Sequence, residues 1–253
     1  MALRVGLTHT QMKLGRADKH INELDSEVSK FFGNEPYTVT RKDHTEHPLH
    51  IFRVELGKMH DDIGMLIGEF AYQLRSALDN LTWQLALLTT TTPHRDTSFP
   101  ITETKPTPKS DRFIAALWDI PCAASDIIKS FQPYTAGKDF KSHPLWQLNK
   151  LCNIDKHRGV AVGYTQIAIR VDDVAFARRK DIPSEHAIEI AIPIADKENA
   201  KFNISDPTII FGDPIDDIDG ISELEMTIAD LRSIYKFVRY EVAPRFETFF
   251  IDP

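Results

Sequence analysis

The feature that most narrows the folds open to this chain lies between residues 58 and 88. Here Ile63, Leu66, Phe70, Leu74, Leu78, Leu81, Leu85 and Leu88 recur at spacings of three and four. That recurrence places them on one side of a helix about four heptads long. A different edge of the same helix carries Gly64, Gly68 and Ala71. Glycine inside a helix costs roughly 1 kcal/mol relative to alanine, so its use twice here implies a backbone packed closely against that edge. Either the first or the last long helix is the expected neighbour. The run ends in "LTTTTP", where β-branched threonines and then Pro93 oppose continuation.

On the N-terminal side, Leu14, Ala17, Ile21, Leu24, Val28 and Phe31 predict a helix from Thr10 to about Gly33. "YTVTRKDH" (37–44) and "HIFRVEL" (50–56) are rich in β-branched and aromatic residues, and with "TEHP" between them they predict a β-hairpin. His44, His47 and His50 fall in its loop, where exposure to solvent is expected. Residues 93–110 are proline-rich and without period, as in a long surface loop able to carry a binding function. Short helices follow at about 111–119 and 122–131, then a longer one at about 144–156. Beyond Gly159 the period becomes that of strands, in "VAVGYTQIAIRV", "AIEIAIPIA" and "PTIIFGD". These are expected to join the hairpin in one antiparallel sheet. A last helix is announced by Ser222 and Glu225 as a capping box, with Ile221 and Met226 in the staple positions, and it kinks or ends at Pro244. These segments predict one α+β domain over residues 1–253, a bundle of long helices packed with a small antiparallel sheet.

Composition limits function. A net charge of −7 argues against nucleic-acid binding through bulk positive charge, so any such binding must use a local patch. Two cysteines, Cys122 and Cys152, are too few for a disulfide framework and fit a reducing, cytoplasmic interior. The start "MALRVGLTHT" lacks the apolar stretch of a signal peptide, and no run approaches the ~18 apolar residues that a membrane helix requires. HExxH, CxxC, Walker and GxGxxG patterns are all absent, which leaves no metal or cofactor to expect. The acidic "DPIDDIDG" (213–220) lacks the Gly and terminal Glu placement of a calcium loop and reads as a solvated turn.

Two polar groupings remain. In "YQLRSALDNLTW", Arg75 and Asp79 stand one turn apart with Asn80 beside them. This is either a salt bridge, with the base before the acid in the less favourable order, or a guanidinium facing a crevice. In "LNKLCNIDKHRGV", Asn153, Asp155, Lys156, His157 and Arg158 crowd the end of a helix. Cations there suit the negative end of the helix dipole, which is a sufficient structural reason for them. Alternatively His157 serves as general acid or base, Asp155 or Asn153 orients it, and Arg158 holds an anion such as phosphate.

The order of "IGEFAYQLRSALDNLTWQLA", "FPI" (99–101), "FQPY" (131–134) and "PLWQLNKLCNIDKHR" (144–158) resembles a group of uncharacterised bacterial proteins. Their shared pattern runs Leu-Arg-Ser-Ala-Leu-Asp-His, Phe-Pro-Ile, Gln-Pro-Tyr and Asn-x-Asp-Lys-His-Arg. More distantly, the arginine-bearing helix resembles the HEPN superfamily of helical domains, which includes metal-independent ribonucleases and non-catalytic nucleotide-binding members. That resemblance implies a homodimer that binds RNA or a nucleotide in stress or phage defence. It matches Arg75 and Ser76 to the nuclease motif, with Asn80 where a histidine is expected. Asparagine cannot exchange a proton near neutral pH, so catalysis would need His157 from the neighbouring helix. The two readings diverge structurally. A binding or nuclease site around Arg75, Asp79, Asn153, Asp155, His157 and Arg158 requires both helices to converge on one pocket. A structural brace requires these residues to contact one another.

Overall fold

Helix α2 (Asp62–Ala86) lies at the centre because its apolar residues cover much of its circumference: Ile63, Ile67, Phe70, Leu74, Leu78, Leu81 and Leu85 are all buried. The computed structural model describes residues 6–34, 36–43, 49–60, 62–171, 174–179, 187–193, 202–212 and 224–251. Against α2 lies α1 (Thr8–Gly33), which buries Leu14, Ala17, Ile21 and Leu24 at the predicted spacing. The expected Leu66 and Leu88 sit at the margin of the α2 stripe, and Leu88 lies past the helix end. Short helices α3 (Asp111–Ala116) and α4 (Cys122–Ser130) follow the 93–110 loop. A 3-10 segment, Pro133–Ser142, then leads to α5 (Pro144–Arg158). Two devices delimit α5. Its first turn is Pro144, capped by His143, whose Nδ1 accepts from the Leu145 N–H at 3.2 Å, and Gly159 ends it with φ +74°.

The chain is α+β, but the strands form two antiparallel sheets rather than one. In the first, β1 (Tyr37–Asp43) pairs with β2 (Leu49–Leu56), whose other edge takes β5 (Ala187–Pro193). The second runs in the order β4 (Val174–Arg179), β3 (Ala161–Val171), β6 (Phe202–Gly212), β7 (Glu225–Met226). Alternation in a sequence tells which face of a strand is apolar; it does not say which free edge the strand will join. His44, His47 and the acidic 213–220 turn lie outside the described residues.

The last helix begins later than the Ser222–Glu225 signal predicts. Ser222 and Ile221 lie outside the described residues, while Glu225 and Met226 form β7, opposite Gly212 and Phe211. Helix α6 (Ile228–Lys236) starts instead from a second capping box one turn on. There Thr227 Oγ1 accepts from the Asp230 N–H at 3.3 Å and Asp230 Oδ2 accepts from the Thr227 N–H at 2.8 Å. Met226 therefore serves as a buried strand residue and not as a staple. As expected, Pro244 disturbs the helix. Lacking an N–H, it cannot bond the carbonyl four residues back, and the backbone widens into a π turn (Phe237–Val242) before tightening to 3-10 (Ala243–Phe249).

The glycine edge of α2 is filled by neither α1 nor α6 but by the end of α5 and the start of β3. A Cβ on Gly64 would lie 2.6 Å from the Val160 carbonyl oxygen, and one on Gly68 would lie 2.1 Å from Asp155 Oδ1. The first obstacle is backbone and the second a side chain able to rotate. Gly64→Ala is thus expected to destabilise the protein by roughly 1–3 kcal/mol despite alanine's better helix propensity. Gly68→Ala should cost less, and most of that loss should be recovered when Asp155→Ala is added. Urea denaturation of the four proteins checks both; a neutral Gly64→Ala would contradict the close approach.

Candidate functional site

Positions 75 and 79 are one helical turn apart, so α2 presents both side chains to the same stretch of the 93–110 loop. Arg75 Nη2 lies 3.1 Å from Asp79 Oδ1 and donates to the Phe99 carbonyl at 2.7 Å. The Phe99 N–H in turn donates to Asp79 Oδ1 at 2.9 Å. The two side chains together offer one residue of the loop both a donor and an acceptor, as a neighbouring strand would. Phe99 thereby enters the core with 0% exposure. An arginine before an aspartate is the weaker order for an isolated helix, and the loop peptide supplies the reason for it here.

The next residues of the loop are held from another side. Gln132, wholly buried after α4, donates through Nε2 to the Pro100 carbonyl at 2.7 Å and to Ile128 at 3.2 Å. Its Oε1 accepts from the Thr102 N–H at 3.0 Å. On α5, Trp146 Nε1 donates to Glu103 Oε1 at 2.7 Å. The Arg-Ser-Ala-Leu-Asp, Phe-Pro-Ile and Gln-Pro-Tyr segments therefore meet in one network. Side chains from two helices and from Gln132, two residues past a third, hold a loop that makes no regular backbone ladder of its own.

Asn80 turns the other way. Its Oδ1 accepts from Thr10 Oγ1 at 3.0 Å, and Gln84 Oε1, one turn further, accepts from the Gly6 N–H at 3.0 Å. These contacts tie down the start of α1. Asn80 thus belongs to a second polar edge of α2 and not to the Arg75 grouping.

On α5, the end of the helix is mostly exposed: Asn153, Lys156, His157 and Arg158 face solvent, and only Asp155 is half-buried, over Gly68. From Gly68 to Arg75 is seven positions, two turns or roughly 10 Å along α2. The expected convergence on one pocket is not met. Asp155 and Arg158 line a cleft of about 410 Å³ with Lys58, His60 and Met65. Arg75 lines a different one, of about 490 Å³, with Phe99, Thr102, Arg112 and Phe113. His157 lines neither cleft and makes no hydrogen bond with a described residue. Between the two levels lies Cys152, whose thiol burial pushes up to about 11, against the opposing influence of Arg75 and Lys156. It stays neutral and poorly nucleophilic at pH 7.

Burial also holds the Asp155 carboxyl above its usual range; Lys156 opposes the shift and Glu69 adds to it. Two atoms beside the Arg75 cleft are buried without any partner, Arg75 Nη1 and Thr97 Oγ1. Each such group costs about 1–3 kcal/mol if nothing satisfies it. Thr97, Arg112 and Gln132 were not legible as site residues, since neither periodicity nor a cap marks them; Gln132 entered only through the Gln-Pro-Tyr of the resemblance. Among the described residues no group of three His, Cys, Asp or Glu is placed to hold a metal, and no helix is long and apolar enough to cross a membrane. No protein-family model, curated protein or solved structure matches the chain.

Asp79→Ala leaves the Phe99 N–H unpaired and strips the Arg75 guanidinium of its counter-charge, so a loss of about 2–4 kcal/mol is expected. In a double-mutant cycle with Arg75→Ala the two should couple by about 1 kcal/mol or more; additivity would refute the shared clamp. At Asp155 the folded pKa lies above the unfolded value, so folding favours the protonated acid. The stability this gives is complete below about pH 3.8 and is lost as pH rises through the folded pKa. Asp155→Asn should accordingly raise the denaturation midpoint at about pH 7 and leave it unchanged at about pH 3.

Proposed function

We propose that the chain is a HEPN-like module that binds RNA or a nucleotide without hydrolysing it, its Arg75 serving as a brace for the 93–110 loop more than as a catalytic group. One observation carries this reading: Arg75 Nη2 is committed to Asp79 and Phe99, while His157, the residue that would have to replace the missing base, lies on the far side of Asp155 from it. A proton acceptor for an RNA 2′-hydroxyl must come within about 3 Å of it. Arg75 on its cleft and His157, which lines neither cleft, cannot act on one phosphodiester within one chain. The homodimer that the resemblance implies belongs to the same proposal, as do the cytoplasmic location expected from the two cysteines and a part in stress or phage defence.

The reading gives Arg75 and His157 opposite behaviour on substitution. Arg75→Ala should lower stability by about 2–4 kcal/mol, whereas His157→Ala, on an exposed helix end, should stay within about 0.5 kcal/mol of the parent. Neither variant should differ from the parent in a metal-free assay on mixed RNA, because none of the three should cleave it. Cleavage by the parent that disappears in both folded variants would refute the proposal in favour of a nuclease.

A further inference from the structure

The loop clamped by Arg75 and Asp79 forms a wall of two adjoining clefts. One, of about 490 Å³, is bounded by Arg75, Ser98, Thr102, Ser110, Arg112 and Phe113. The other, of about 420 Å³, is bounded by Arg95, Asp96, Thr97, Ser98 and Arg112. Ser98 and Arg112 line both, so the two spaces meet there. Arg75 Nη1 and Thr97 Oγ1, two of the three buried side-chain polar atoms without partners among the described residues (the third is His20 Nδ1), belong to residues on either side of this junction. A hydroxyl and a guanidinium edge left unsatisfied beside two joined clefts suit a ligand that accepts hydrogen bonds.

The charges limit what that ligand is. Arg75 is already paired with Asp79, so the lining cations left for a ligand are Arg95 and Arg112, which stand beside Asp96 and Asp111. Arg95 is already drawn to Asp96, with Nε 3.7 Å from Oδ2. Arg112, exposed at the junction, has no such partner among the described residues. Guanidinium forks with flanking hydroxyls are suited to a phosphate. Apolar surface from Pro100, Ile101, Phe113 and Ala116 continues from the junction along the larger cleft, where the half-buried Phe113 ring offers a face for a base.

We propose that the double cleft binds a nucleoside phosphate monoester, with the phosphate at the Arg112–Ser98–Thr97 junction and the base against Phe113. The ligand is a free mononucleotide or the 5′-phosphorylated end of an RNA. The assignment rests on the non-hydrolytic binding reading and supplies it with a location and a chemical class.

Calorimetric titration of the full chain tests it, with inorganic phosphate, AMP, adenosine, and a short oligoadenylate with and without its 5′-phosphate. AMP should bind at least about tenfold more tightly than adenosine or phosphate alone. The 5′-phosphorylated oligomer binding as well as AMP would make the site one for RNA ends; AMP alone would make it one for free nucleotides, and either supports the site. Arg112→Ala should weaken AMP by about tenfold or more at an unchanged melting temperature. Thr97→Val should weaken AMP while raising the melting temperature, because it removes a buried hydroxyl that has no partner in the free protein. No binding of any probe at millimolar concentration would overturn the proposal, as would AMP binding indifferent to both substitutions. RNA cleavage by the parent that is lost in Arg75→Ala would overturn the non-hydrolytic reading instead, whatever the titrations give.

Discussion

Helix α2 meets the end of α5 and the start of β3 with no room for a methyl group at Gly64, and that contact holds the helix whose polar edges carry the site. It fixes where α5 ends against α2, and Gly159, with its positive φ, lets the chain turn from there into β3. Once α2 is held there, its two polar edges have set directions. Arg75 and Asp79 face the 93–110 loop, while Asn80 and Gln84 face the first turn of α1. A buried helix with polar groups on two edges is costly unless each is paired. Here the partners are backbone groups of the loop and groups at the start of α1.

How much of this was legible depends on whether the information is local. The spans of α1, α2, α5 and the β1–β2 hairpin follow from periodicity, because one apolar face per element was enough to define them. The start of α6 did not follow, because two capping boxes compete: Ser222–Glu225 and Thr227–Asp230 satisfy the same rule, and the pairing of Met226 with Phe211 decides between them. The pairing of β5 with β2 was equally out of reach. Glycines 64 and 68 announce a close neighbour in the sequence, but its identity depends on how the chain returns some ninety residues later.

The candidate site divides along the same line. Arg75 and Asp79 stand out from spacing alone, and their contact is as a salt bridge predicts; its third member, Phe99, is not visible from α2. The "NIDKHR" segment has the composition of a site and the placement of a helix end, with its cations in the last turn, where the dipole favours them. Sequence proximity to Gly159 conveys that placement. What it does not convey is the two-turn offset from Arg75, which comes from the register between α2 and α5. The motif order that carries the resemblance spans both, and much of it accounts physically for one loop held by Arg75, Asp79, Gln132 and Trp146.

The way that loop is held has a consequence for its dynamics. The Phe99 and Thr102 amides donate to Asp79 and Gln132, side chains anchored beside buried helices, and not to a neighbouring strand. Their hydrogens can exchange with solvent only when those side chains let go. A segment without helix or strand thereby acquires the exchange protection of the core, while the residues just past Glu103, outside the clamp, exchange as an ordinary surface loop does.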